Sequence, residues 1–276
     1  MTCAWKELLS ILPPWLGQDV DKAGSESLQE LRLRLSQPPQ LICRDGISYL
    51  HREITADDLN FCVNTVSRYS PWTAVSSAKG YLTAPGGHRI GLCGEAIVSD
   101  GTMTGIRTVR SLCIRIARDF PGIGEKFGNY TGSILIIGPP GSGKTTLLRD
   151  LIRQLSKSRT VAVVDERREL FPDGSFLQGR PVDVLSGCPK LEGIETVLRT
   201  MGPETIAVDE ITAEADCLAL QQAFWCGVQL VATAHAGSVS DLRSRPLYKP
   251  LLKNGLFEHI LVMHRDKTLH QERMNL

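Results

Sequence analysis

The hydrophobic pattern changes period several times along the chain. Trp5, Leu8, Leu9, Ile11 and Leu12 recur at helical spacing, and Pro13-Pro14 stops that helix. Residues 28–35 (LQELRLRL) then alternate apolar and polar, which predicts a strand with one wet face, ended by Pro38-Pro39. Leu41-Ile42-Cys43 and Ile47-Ser48-Tyr49-Leu50 flank Arg44-Asp45-Gly46, a hairpin signal. Thr55 stands as the N-cap of a helix from Asp57 to Arg68, with Leu59, Phe61, Cys62, Val63 and Val66 on one stripe. Strands are expected at 80–84, after which Pro85-Gly86-Gly87 turns, and then at His88–Ile97 and Met103–Val109. The glycines between Gly86 and Gly94 read as tight turns and closely packed backbones. This half predicts an α+β domain with a mostly antiparallel sheet.

Beyond residue 130 the alternation disappears. Ser133–Ile137, Thr160–Val164, Thr205–Val208 and Val228–Thr233 are continuous apolar runs, as strands buried on both faces of a parallel sheet require. Helical segments at Lys144–Leu155, Ile194–Thr200 and Glu214–Cys226 separate them. Right-handed crossovers then give an α/β domain with ligands at the carboxyl ends of its strands. Residues 242–252, basic and proline-containing, read either as a contact to phosphate or a partner or, more blandly, as an exposed linker to a last strand at His259–Met263. The organisation expected is an N-terminal domain over 1–119, a Pro/Gly-rich linker over 120–132 and the α/β domain over 133–276.

The chemistry concentrates in Gly138-Pro139-Pro140-Gly141-Ser142-Gly143-Lys144-Thr145, with Thr146 next, set between a buried strand and an amphipathic helix. That is the context of a phosphate-binding loop. Gly141 and Gly143 let the backbone curl so that successive N–H groups converge, and the helix opening at Lys144 adds unpaired donors. Lys144 is placed to reach β- and γ-phosphates, and the Thr145 hydroxyl to ligate Mg²⁺. The other strand ends carry Asp165-Glu166, Asp209-Glu210 and His235. Hydrolysis of a γ-phosphate needs a carboxylate near Mg²⁺ and another to orient water. Asp209 fits the first role. Glu210 fits the second, with Glu166 as a rival base, and His235 is either a γ-phosphate sensor or a structural hydrogen-bonder. Arg110, Arg115 and Arg118 read equally as a solvated strand edge or as guanidinium groups that reach a neighbouring subunit's γ-phosphate.

Composition narrows the classes without choosing among them. The 276 residues carry a net charge of +1, so nothing favours nucleic acid or a membrane surface electrostatically, and 6% aromatic content offers few stacking platforms for bases. No run approaches a membrane span, and the start reads as lacking a signal peptide. The eight cysteines include no C-x-x-C pair and read as buried thiols of a reducing compartment. The expected location is the cytoplasm.

Val163-Val164-Asp165-Glu166-Arg167, Ile206-Ala207-Val208-Asp209-Glu210-Ile211 and Ala232-Thr233-Ala234-His235-Ala236, following the phosphate loop in that order, resemble the Asp, Walker B and His boxes of the type II and type IV secretion ATPases. The stretches 85–95 (PGGHRIGLCGE), 114–118 (IRIAR), 183–190 (DVLSGCPK) and 245–252 (RPLYKPLL) are more closely similar to the stage III sporulation AA family of endospore-forming bacteria. The chain departs from the secretion ATPases at Ile211-Thr212-Ala213, where they more usually place a glycine. The resemblance implies a RecA-like ATPase domain behind a smaller N-terminal domain, assembled as a homo-oligomeric ring, a hexamer, using ATP and Mg²⁺. It implies that Arg115 and Arg118 reach ATP, and that the partners are membrane proteins of a sporulation channel complex, which would hold the chain peripherally at the membrane. No nucleic-acid partner is expected. The competing readings are a nucleic-acid-dependent ATPase and a non-hydrolysing, ATP-gated scaffold.

Overall fold

Alternation in residues 28–35 becomes a strand whose buried positions, Leu31 and Leu33, stand opposite Ile114 and Leu112 of a partner strand. The structure is a computed structural model that describes residues 3–67, 80–172 and 175–273. The chain forms two compact units, Met1–Asp119 and Phe120–Leu276.

The first unit runs α1 (Trp5–Ser10), α2 (Pro14–Ala23), β1 (Leu28–Arg34), β2 (Gln40–Cys43), β3 (Gly46–Tyr49), α3 (Ala56–Ser67), β4 (Tyr81–Thr83), β5 (Arg89–Ser99) and β6 (Thr102–Arg115). Its described strands pair antiparallel in the order β3-β2-β1-β6-β5-β4. The three helices contribute Leu8, Leu16, Leu59 and Cys62 to the same core as Leu31 and Ile114. Pro13-Pro14 does stop α1, but Pro14 also opens α2, because the first helical position needs no N–H. Helix α3 starts on a reciprocal cap: the Asp58 N–H donates to Thr55 Oγ1 at 3.2 Å, and Asp58 Oδ2 accepts from the Thr55 N–H at 2.9 Å. Arg68, the expected end of this helix, lies outside the described residues. The glycine-dense stretch packs backbone on backbone: a Cβ on Gly94 would lie 1.8 Å from the Thr108 carbonyl oxygen.

The second unit runs β7 (Ile134–Ile137), α4 (Lys144–Leu155), β8 (Val161–Asp165), β9 (Val182–Ser186), α5 (Lys190–Met201), β10 (Thr205–Glu210), α6 (Glu214–Trp225), β11 (Gln229–Ala234), α7 (Val239–Ser244), α8 (Lys249–Lys253), β12 (His259–Met263) and β13 (Leu269–Arg273). The described strands lie in the order β13-β12-β7-β11-β10-β8-β9, and all neighbours are parallel except β12 and β13. Ile134 and Ile136 belong to the core under α4, and Leu135 and Ile137 to the core under α5 and α6. Both faces of the strand are dry, which is why its sequence does not alternate.

Strands β9 and β13 are absent from the sequence expectation. Both lie at sheet edges, where one neighbour is missing, and neither carries an unbroken apolar run. The expected linker over 242–252 is instead helical and packed. Leu242, Tyr248 and Leu251 are buried, and Pro246 and Pro250 sit at the first and second positions of short helical turns, where proline is tolerated. In the segment read as a linker over 120–132, the Gly124 N–H donates to Asp150 Oδ2 at 2.7 Å and Phe127 joins the core under α4. All eight cysteines are free thiols; Cys62 and Cys217 are buried, but Cys93 and Cys226 are exposed. Among the described residues no helix is long and apolar enough to cross a membrane.

Candidate nucleotide site

Between the end of β7 and the start of α4 the chain makes the glycine-rich turn. Gly141 (φ 73°) and Gly143 (φ 102°) occupy left-handed conformations that side chains disfavour. Gly138 is needed for space: a Cβ there would lie 2.4 Å from the Met263 carbonyl oxygen and 2.7 Å from Ser142 Oγ. Pro139 is half-buried and Pro140 exposed, while Thr145 and Thr146 are half-buried in the first turn of α4. The Ser142 hydroxyl is buried and has no hydrogen-bond partner. A buried orphan hydroxyl within a turn that precedes a helix N-terminus fits an anionic ligand such as a polyphosphate.

Lys144 is nearly buried. Its Nζ donates to the Pro139 carbonyl at 3.1 Å and lies 3.1 Å from His235 Nδ1, while His235 Nε2 lies 3.0 Å from Glu210 Oε1. The partners fix the tautomer. A lysine ammonium can only donate, so Nδ1 accepts, and Nε2 carries the proton donated to Glu210. Burial pulls the Lys144 pKa down, opposed by the carboxylates of Glu210 and Asp209. Three tips of the sheet, from β7–α4, β10 and β11, thus meet through one imidazole. Glu210 also faces Arg167 Nη1 at 3.5 Å.

Asp209 is buried beside this cluster, with the Thr233 hydroxyl 3.5 Å from its Oδ1. Its pKa is pushed up to about 6, first by burial and then by the charges of Glu169, Asp165 and Glu210, with Lys190 opposing. A carboxylate so placed gains from a cation, which makes the chemistry of Asp209 and Thr145 suitable for Mg²⁺.

The strand end at β8 is differently employed. Asp165 accepts from the N–H groups of Glu169, Leu170 and Phe171 and so folds the following loop. Glu166 pairs with the nearly buried Lys190, which also lies 3.6 Å from Asp216 Oδ2. Arg115 and Arg118 belong to the other unit: Arg115 lies 3.6 Å from Glu30 Oε2, and Arg118 donates to the Leu28 carbonyl. Two contacts had no signal in the sequence. Lys267, in the β12–β13 turn, donates to the Gly141 carbonyl of the loop, and the Tyr248 hydroxyl donates to the Ile211 carbonyl at 3.3 Å.

A model of the family described as sporulation stage III, protein AA matches residues 13–272. The stage III sporulation protein AA of Bacillus subtilis (strain 168) is 37% identical over 95% of this chain and 91% of that protein. The chain belongs to the stage III sporulation protein AA family. Two solved structures share the fold of this family member. The pilus retraction motor PilT, solved with bound ADP, superposes with a TM-score of 0.62 over 89% of this chain and 76% of that one at 14% identity. The Legionella pneumophila ATPase DotB gives 0.59 over 95% and 80% at 17% identity. The sporulation AA chain therefore has the secretion-ATPase fold: an antiparallel N-terminal sheet followed by a mostly parallel α/β unit.

Proposed function

We propose that this chain is a Mg²⁺-dependent ATPase that works as a homo-oligomeric ring, a hexamer, and powers or organises a channel complex during sporulation. The observation that carries the reading is the hydrogen-bonded series Lys144–His235–Glu210 at the mouth of the glycine-rich turn. The loop amides from Gly138 to Thr146, the Ser142 hydroxyl and Lys144 take the phosphates, and Lys144 exchanges the Pro139 carbonyl and His235 for phosphate oxygens. Glu210 orients a water for in-line attack on the γ-phosphorus, and the bond to the β,γ-bridging oxygen breaks to leave ADP and phosphate. His235, linked to both groups, registers whether Lys144 is engaged by phosphate. Thr145 directly and Asp209 through water would hold Mg²⁺, which neutralises the charge that develops on the phosphate oxygens. Glu210 is preferred to Glu166 as the base because it is linked through His235 to Lys144, whereas the Glu166 carboxylate pairs with Lys190. Arg115 and Arg118 of one copy complete the site of the next. Membrane proteins of the channel hold the ring at the cytoplasmic face, and nucleic acid plays no part.

Phosphate release and nucleotide binding by the purified chain test this. Lys144→Ala should lose binding. Glu210→Gln should bind ATP normally and turn over at least about 100-fold more slowly. Wild-type turnover in Glu210→Gln would refute the assignment, and turnover stimulated by single-stranded nucleic acid would favour a different machine.

A further inference from the structure

The last residue of β12 and the β12–β13 turn touch the phosphate loop at its two ends. At the base, the Met263 carbonyl packs where a Cβ on Gly138 would be. At the apex, the ammonium of Lys267 donates to the carbonyl of Gly141. The turn that presents this lysine is itself held. The His264 N–H donates to the Thr268 carbonyl at 3.0 Å and the Lys267 N–H to the His264 carbonyl at 3.1 Å. Asp266 Oδ1 accepts from the Thr268 N–H at 3.0 Å and from its hydroxyl at 2.7 Å, and Lys267 takes a left-handed φ of 69°.

The Gly141–Ser142 peptide is planar and trans, so its C=O and N–H point to opposite sides. Lys267 holds the carbonyl on one side. On the other, the Ser142 N–H donates to the Pro139 carbonyl at 3.2 Å, an acceptor it shares with Lys144 Nζ. These are two of the donors that the proposed function assigns to phosphate. We propose that Lys267 is a positioning residue of the nucleotide site: by holding the Gly141 carbonyl outward it turns the Ser142 amide inward, toward the phosphates. The charge-assisted bond also polarises that peptide and strengthens its N–H as a donor. Lys267 itself lies outside the loop, so it acts through the Gly141–Ser142 peptide and not on one phosphate. It supports ADP and ATP alike. The inference rests on the reading of this loop as a nucleotide site.

The test is titration of the full chain with fluorescent ADP and a slowly hydrolysed ATP analogue in Mg²⁺, alongside melting without nucleotide. Lys267→Met should bind both nucleotides about fivefold more weakly with an unchanged melting temperature, and Lys267→Arg should bind like wild type. Wild-type affinity in Lys267→Met overturns the inference and leaves the ATPase reading standing. A loss confined to the triphosphate overturns it by making Lys267 a direct γ-phosphate contact. A loss that follows a lowered melting temperature and is not rescued by arginine overturns it as a folding effect. A wild-type chain that binds neither nucleotide overturns both readings.

Discussion

Asp209 is a carboxylate in a place that opposes its charge, buried and ringed by Glu169, Asp165 and Glu210. Such a residue costs stability when no cation is bound, so removing the charge should stabilise the chain while removing function. In chelator at pH 8, Asp209→Asn should raise the unfolding free energy by about 2 kcal/mol in a urea titration, with phosphate release lost. An unchanged or lowered stability would contradict the charge crowding described. Gly138 makes the opposite case. Gly138→Ala drives a methyl into the Met263 carbonyl, and the loop must shift. About a tenfold loss of nucleotide affinity is expected, measurable by the same titration. The sequence named Gly138 as part of the loop, but only the packing of β12 against it explains why glycine is required there.

At the scale of elements, α4 is tied down by a buried pair. Arg153 Nη2 donates to Asp150 Oδ1 at 2.8 Å, and the Gly124 N–H donates to the other carboxylate oxygen. Burial alone would raise the Asp150 pKa, but the Arg153 side chain and the Gly124 and Gly122 amides outweigh it and hold the pKa below its ordinary 3.8. With the folded value depressed, the native chain binds fewer protons than the unfolded one, so this stabilisation is complete above the unfolded pKa and is lost as pH falls through the folded one. Asp150→Asn should therefore lose about 3 kcal/mol at pH 7, and its deficit against wild type should shrink as pH falls below about 4 in chemical denaturation. A deficit that does not vary with pH would assign the loss to packing. Elements of this kind were unevenly legible. The strand–turn–helix around Gly138 was plain because apolar run, glycines and amphipathic stripe are contiguous. Helix α2 was hidden because one proline both ends a helix and begins the next, and β9 and β13 were hidden because edge strands need no continuous burial.

At the scale of the whole molecule, the proposed ring separates the catalytic parts onto two copies. Turnover per chain should then rise with protein concentration and with oligomer size in light scattering. Arg115→Ala chains and Glu210→Gln chains, each inactive alone, should recover turnover when mixed, because a mixed ring pairs an intact Arg115 with an intact Glu210. Arg115 suits this test because its side chain is 67% exposed and its pairing with Glu30 contributes little to folding. No recovery on mixing, with assembly intact, would place the arginine in the same chain's site or outside the site altogether.

The sequence by itself determined what depends on neighbours in the chain: the helical and alternating periods, the two dry faces of the parallel strands, and a turn whose glycines can expose converging amides. It also carried the stretches, 85–95 and 245–252 among them, that resemble the family to which the chain belongs. It left Glu166 and Glu210 as rivals, because each follows a buried strand in the same way. In the tertiary structure His235, 91 residues beyond Lys144, lies between that lysine and Glu210, while Glu166 pairs with Lys190, and the proposed choice of Glu210 rests on that difference. The tertiary structure likewise brought Lys267 to Gly141 across 126 residues. Local patterns follow from the periodicity of helix and strand, whereas the partner of a charge is fixed only when the sheet order places distant strand ends side by side.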